Sequence, residues 1–361
     1  MKINTSNTYL SIERKESNAI KGIAIILIII GHCYTLIDDS SHPLYFYLYS
    51  FHVHVFFILP FLYPPKTPTI HRCKNYFARL MVPYIILFTL FFLLKNGPYL
   101  FLLCKNGQFV YMLNFITTGG VKCLLTGGLV PLRQSIGIIY IWFMPVMFSM
   151  YILKDIYYEV SFKYKILILL TGIVSYFFMW MCLYGKLGVL TQIKVILMNI
   201  SPFSVIQAVG ALFLGVVTIQ FVTVMERVRN RVGWIVLGIT FMTLLYFLTQ
   251  SSYYELIPKS FLPILVFAFL YYMRTFISRN SWLCRYGEIS FAIYLVQSPI
   301  CIIANAIVPR YIETRHSITG VIVIVILICI SYYVANLLNK SRLTKRFLLP
   351  RTWDEVFYSK R

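Results

Sequence analysis

Ten long apolar runs punctuate the chain, at roughly 19–37, 44–63, 76–94, 138–153, 166–184, 205–224, 232–250, 260–275, 287–308 and 318–338. Each is near the ~20 residues that a helix needs to cross a bilayer's hydrocarbon core. Inside lipid the backbone must satisfy its own hydrogen bonds, and a helix does so within one segment. The pattern therefore predicts an all-α fold, a polytopic membrane helix bundle of about ten transmembrane helices. Residues 95–137 depart from it, because Asn96-Gly97-Pro98, Gly119-Gly120 and Gly127-Gly128 are interleaved with short apolar stretches. This region is expected as an outside loop folded over the bundle, with a broken, re-entrant element as the alternative.

Composition agrees with the pattern. Apolar residues make up 59% of the 361 positions and charged residues only 12%, against roughly 25% charged in a soluble domain. A soluble protein cannot hide that much apolar surface, and a disordered chain would not carry so many aromatic residues. The formal net charge of +21 would suggest nucleic acid in a soluble protein. Here the cations fall between apolar spans, where they mark the cytoplasmic side, and no nucleic-acid role is expected. With the N-terminus inside, 24 of the 33 Lys and Arg lie in inside segments and 9 in outside ones. Both termini are expected to be cytoplasmic. No second soluble domain is evident: residues 1–340 read as one membrane domain and 341–361 as a basic cytoplasmic tail that lies on anionic lipid. No cleavable signal peptide is expected, since the first 18 residues are polar.

Ionisable groups within spans are costly and so point to function. The first is His32, eleven residues after Lys21 with only apolar residues and Gly between them. Eleven helical steps come to about three turns, which puts both on one face about 16 Å apart along the axis. A cation at the cytoplasmic mouth can hold an anionic donor, and a neutral imidazole deeper in can take a proton from a hydroxyl. His52 and His54 lie two residues apart and point to opposite sides of a helix, so they cannot share a metal ion. One of the two is expected to reach the bundle interior. The eight cysteines are scattered without any CxxC pair, and no metal site is expected.

Arg72, Lys74 and Arg79 form a basic inside segment, suited either to topology or to phosphate binding at the membrane surface. In the ninth run, Ser290, Tyr294 and Gln297 fall at i, i+4 and i+7 as one polar stripe, which either packs helices together or faces a substrate. No P-loop, nucleophile elbow or dinucleotide fingerprint is present in a suitable context.

Five motifs in order resemble the integral-membrane acyltransferase-3 family, whose members include O-acetyltransferases of bacterial surface polysaccharides. They are Lys21 to His32 at ten-residue spacing and the FHxxxFF start of the second span (Phe51, His52, Phe56, Phe57). Next come RLxxPY (Arg79, Leu80, Pro83, Tyr84), WFMP (Trp142, Phe143, Pro145) and SFAIYL from Ser290 to Leu295. The chain departs from the family in reading Ile58-Leu59-Pro60-Phe61 where Ser-Gly is usual. It also has Tyr76 three residues before Arg79 where Arg is usual, and Gln297 where His is frequent.

The resemblance implies a membrane-embedded O-acyltransferase, in the first instance an O-acetyltransferase, of the bacterial cytoplasmic (inner) membrane. Its donor would be cytoplasmic acetyl-CoA or another acyl-CoA, as a co-substrate with no bound cofactor. Its acceptor would be a sugar hydroxyl of a cell-surface polysaccharide or lipid-linked glycan, with membrane lipids around it. His32 would be catalytic, as general base or as carrier of a transient acyl group, while Lys21, Arg72, Lys74 and Arg79 would hold donor phosphates. His52, Trp142, Ser290 and Tyr294 would lie on the substrate side. A transporter or flippase of a lipid-linked glycan, or a non-catalytic membrane scaffold, is the alternative from other classes. The transporter is disfavoured by the absence of charged residues along a central path and of a half-to-half repeat.

Overall fold

A computed structural model describes residues 10, 12–38, 43–63, 68–127, 140–184, 197, 201–227, 231–249, 256–315 and 317–358. Among these residues the secondary structure is helical, with no strand. Each of the ten apolar runs falls mainly on helix where it is described. Five helical stretches are long and apolar enough to cross a membrane: Ile70–Lys105, Phe109–Thr126, Pro202–Glu226, Ser290–Arg310 and Ile318–Lys340. Apolar side chains stand outward on them. Along Ile318–Lys340, Val321, Ile322, Val325 and Ile326 are exposed, while Ile324, Leu327 and Ile328 are buried. A helix apolar on both its buried and its exposed faces suits a lipid surround.

The chain divides into two units, one of Met1–Lys66 with Leu214–Asn336 and the other of Thr67–Phe213 with Leu337–Arg361. The first unit is built around the helix Arg14–His32. That helix begins where the Glu16 carboxylate accepts from the Glu13 backbone N–H at 3.1 Å, satisfying a donor that a first turn leaves open. Its middle is buried, with Ala19, Ile20, Ala24, Ile25 and Ile29 fully shielded. It crosses the short helix Ser281–Glu288 so closely that a methyl group on Gly22 would stand 2.2 Å from the Leu283 carbonyl oxygen, and one on Gly287 1.6 Å from that of Asn18. Only glycines permit this approach. Tyr286 then ties the short helix onward, its hydroxyl donating to the Ile328 carbonyl at 2.9 Å and its ring stacking on Tyr332. Near the start of the first helix, Arg274 reaches Glu16 at 3.5 Å and Glu226 at 3.4 Å, over the face of the Tyr271 ring.

In the second unit, Ile70–Tyr76, a π-helical turn Phe77–Met81 and Val82–Lys105 follow one another without a break. The outside loop expected over 95–137 is corrected here. Residues 95–126 form the end of this helix and a returning arm, Phe109–Phe115, Ile116–Val121 and Lys122–Thr126. Pro98 lies within the first arm, and the Asn96 side chain donates to the Phe92 carbonyl at 3.1 Å. Gly120 is there for close approach and not as a breaker, because a methyl group on it would meet the Phe92 ring at 3.3 Å. Phe115 packs on Phe92 and Tyr99 across the hairpin. The expected loop's remainder, 128–137 with Gly128, lies outside the described residues.

The C-terminal segment of this unit is folded. Helices Arg342–Phe347 and Trp353–Phe357 are joined by Arg346, whose Nε donates to the Val356 carbonyl at 2.8 Å. The Trp353 backbone N–H donates to the Asn75 side chain at 2.9 Å, and its ring meets Phe77. The tail thus packs on the basic segment between Lys74 and Arg79.

Candidate active site

The nine residues singled out from the sequence divide between the two units. Lys21, His32, His52, Ser290 and Tyr294 lie in the first, and Arg72, Lys74, Arg79 and Trp142 in the second.

Lys21 and His32 share the one unbroken helix Arg14–His32. The Lys21 ammonium donates to the Asn18 side chain at 3.4 Å. His32 is the helix's last residue, so its carbonyl has no acceptor role left within the helix. The Asn305 side-chain amide donates to it at 2.8 Å. The residue is half-buried, and its ring Nδ1 lies 2.9 Å from Gln297 Oε1.

The second histidine faces the first. Helix Pro43–Phe51 is interrupted at His52 and Val53 before His54–Ile58 resumes. At the interruption the His52 backbone N–H and ring Nδ1 both donate to the Leu48 carbonyl, at 3.2 and 2.7 Å. A carbonyl only accepts, so Nδ1 carries a proton, and in the neutral ring the other nitrogen of His52 is bare. His52 is 2% exposed and its ring centroid lies 6.1 Å from that of His32. Tyr49 closes the side, 4.7 Å from the His52 ring and 6.2 Å from the His32 ring. Two imidazoles in an aromatic surround can accept and relay a proton.

Ser290 and Tyr294 are buried at the start of the helix Ser290–Ile307. The third residue of their stripe, Gln297, is the one that touches His32. Asn305, further along the same helix, was not anticipated. The signal for it was present, since the stripe continues through Cys301 to Asn305 at helical spacing.

In the second unit the basic residues have unlike surroundings. The Arg72 guanidinium donates to Asp155 at 3.1 Å and to the Tyr76 hydroxyl at 2.5 Å, and that hydroxyl donates to the other Asp155 oxygen at 3.0 Å. The Tyr76 ring stacks on Tyr151. Lys74 and Arg79 are exposed, and among the described residues neither forms an ion pair. Arg79 sits on the π-helical turn Phe77–Met81, a widened turn of a kind frequent at functional sites. Trp142 ends a short 3-10 turn before the helix Phe143–Glu159 and meets the Phe143 ring edge-on.

Apolar helices, a histidine pair within one of the units and exposed cations beside a helical segment of the other are features of a multi-pass membrane enzyme. The acyltransferase domain of the acyltransferase-3 family matches residues 14–336, nearly the whole chain, and the chain belongs to that family. It is a membrane acyltransferase. A comparison with curated proteins finds no match, and one with solved structures finds none.

Proposed function

We propose that the protein is an O-acetyltransferase that moves an acetyl group from cytoplasmic acetyl-CoA to a sugar hydroxyl of a cell-surface polysaccharide or lipid-linked glycan. Ten spans with both termini cytoplasmic in a bacterial inner membrane complete the proposal, supported by the ten apolar runs and by the concentration of Lys and Arg in alternate segments. The observation that carries the reading is half-buried His32, its ring held at the end of the Lys21 helix and faced by buried His52. An imidazole so placed suits general-base work on a hydroxyl. In the step, the sugar oxygen bonds to the acyl carbon and the carbon–sulfur bond of the thioester breaks. The hydroxyl proton passes through His32 to the departing thiolate, so charge and atoms balance.

Lys21, Lys74 and Arg79 supply cations for the donor's phosphates, and Arg72 can contribute only in competition with Asp155. His52, Trp142, Ser290 and Tyr294 remain assigned to the acceptor side. Surface-glycan mass with and without the protein tests the reaction. Acetyl transfer adds about 42 Da per modified hydroxyl, and glycans of equal mass from both cells would refute it.

A further inference from the structure

The structure assigns Gln297 as the positioning residue that sets the tautomer of His32 and so leaves ring Nε2 as the atom that reacts. This rests on the proposed role of His32 as the base. An amide oxygen only accepts hydrogen bonds, so the 2.9 Å contact of His32 Nδ1 with Gln297 Oε1 requires a proton on Nδ1, which in the neutral ring leaves the lone pair on Nε2. The orientation of the amide is itself set by its surroundings. The Cys301 thiol, one turn further along the helix, lies 3.9 Å from the same oxygen as a second donor. A thiol donor at this end of the amide suits its oxygen there and not its nitrogen.

Two further observations separate this role from packing. Gln297 is fully buried, yet its Nε2 has no hydrogen-bond partner among the described residues. Among these residues the bonds of the amide thus all run through Oε1, the end that meets His32. The backbone of His32 is also held from the same helix, by the Asn305 side chain on its carbonyl at 2.8 Å. Ring and backbone are therefore both fixed by Ser290–Ile307, which determines where Nε2 points. The arrangement matches the logic by which a buried partner holds a catalytic imidazole in one tautomer.

The test uses the full-length protein, labelled with ¹⁵N-histidine and reconstituted in lipid bilayers. Comparison with His32→Ala identifies the His32 signals. The wild-type ring should show a protonated Nδ1 and a bare Nε2, a result that requires no Gln297 variant to fold. In Gln297→Leu the protonated-Nδ1 form should give way to a mixture with protonated Nε2. Turnover from acetyl-CoA should fall about a hundredfold, the size of effect that misplacing a reacting group has, with the donor KM unchanged. Gln297→Glu keeps an acceptor for Nδ1–H and should restore both the spectrum and most of the lost rate. A wild-type ring protonated on Nε2 would overturn the inference, as would a Leu variant with wild-type spectrum and turnover. If His32→Ala itself transfers acetyl at the wild-type rate, the role of His32 as base fails, a result distinct from any Gln297 outcome.

Discussion

His32 and Arg79 both lie in motifs of the family, yet their surroundings are opposite in kind. His32 has its ring held by Gln297, its carbonyl by Asn305 and a second, buried histidine 6.1 Å away. Arg79 stands exposed on a π-helical turn. The contrast suits the two roles proposed for them. A proton-transfer group works only in one tautomer and one direction, so its partners must be in place beforehand. A cation that captures a phosphate gains from being open until the ligand arrives. Arg72 sits between these cases. It carries a guanidinium, a group suited to phosphate, but its side chain is 21% exposed and its partner Asp155 only 5% exposed.

The contrast can be challenged first at its rigid end. Gly287→Ala puts a methyl group 1.6 Å from the Asn18 carbonyl oxygen, and backbone has to move to admit it. Overpacking of this kind should cost about 3 kcal/mol, the upper end of its usual range, seen as loss of monodisperse protein on size-exclusion chromatography. A Gly287→Ala protein with wild-type yield and thermal stability would show that the Arg14–His32 helix is not held by this crossing.

The intermediate case comes next. Asp155→Asn removes the charge that Arg72 and Tyr76 share and should lower stability by about 1.5–3 kcal/mol, the range for hydrogen bonds to charged groups. A melting temperature unchanged in this variant would release Arg72 from a structural role and return it fully to the donor-binding set.

At the open end, Arg79→Gln should leave the melting temperature within error, as surface substitutions do. It should raise the KM for acetyl-CoA roughly tenfold, equivalent to about 1.4 kcal/mol. An unchanged KM in both Arg79→Gln and Lys74→Gln would reduce this segment to a topology signal.

What the sequence reveals tracks how local each feature is. Helices follow from hydropathic runs, and the shared helix of Lys21 and His32 follows from eleven residues without a breaker. The polar stripe at Ser290, Tyr294 and Gln297 is likewise visible as spacing, though not which of its residues meets His32. The hairpin through 95–126 was hidden because Gly119-Gly120 reads as punctuation, whereas Gly120 serves contact with Phe92, 28 positions earlier. The Arg72–Asp155 pair joins residues 83 apart, and no local pattern announces it. The interruption at His52 is accompanied by a ring nitrogen bonding Leu48, a contact that periodicity, which takes the helix as continuous, passes over.

If His32 moves the proton in acyl transfer, substitution at this one position reveals it without recourse to any other residue. Purified His32→Ala and His32→Gln are reconstituted in lipid, supplied with acetyl-CoA and acceptor glycan, and compared with wild type at equal protein level. Glutamine keeps hydrogen-bonding capacity but cannot titrate near neutrality. Both variants should insert at wild-type abundance and transfer about 10²- to 10⁴-fold more slowly, the span that general-base catalysis supplies. A His32→Gln protein that keeps most of the wild-type rate would contradict this role and move the base to His52.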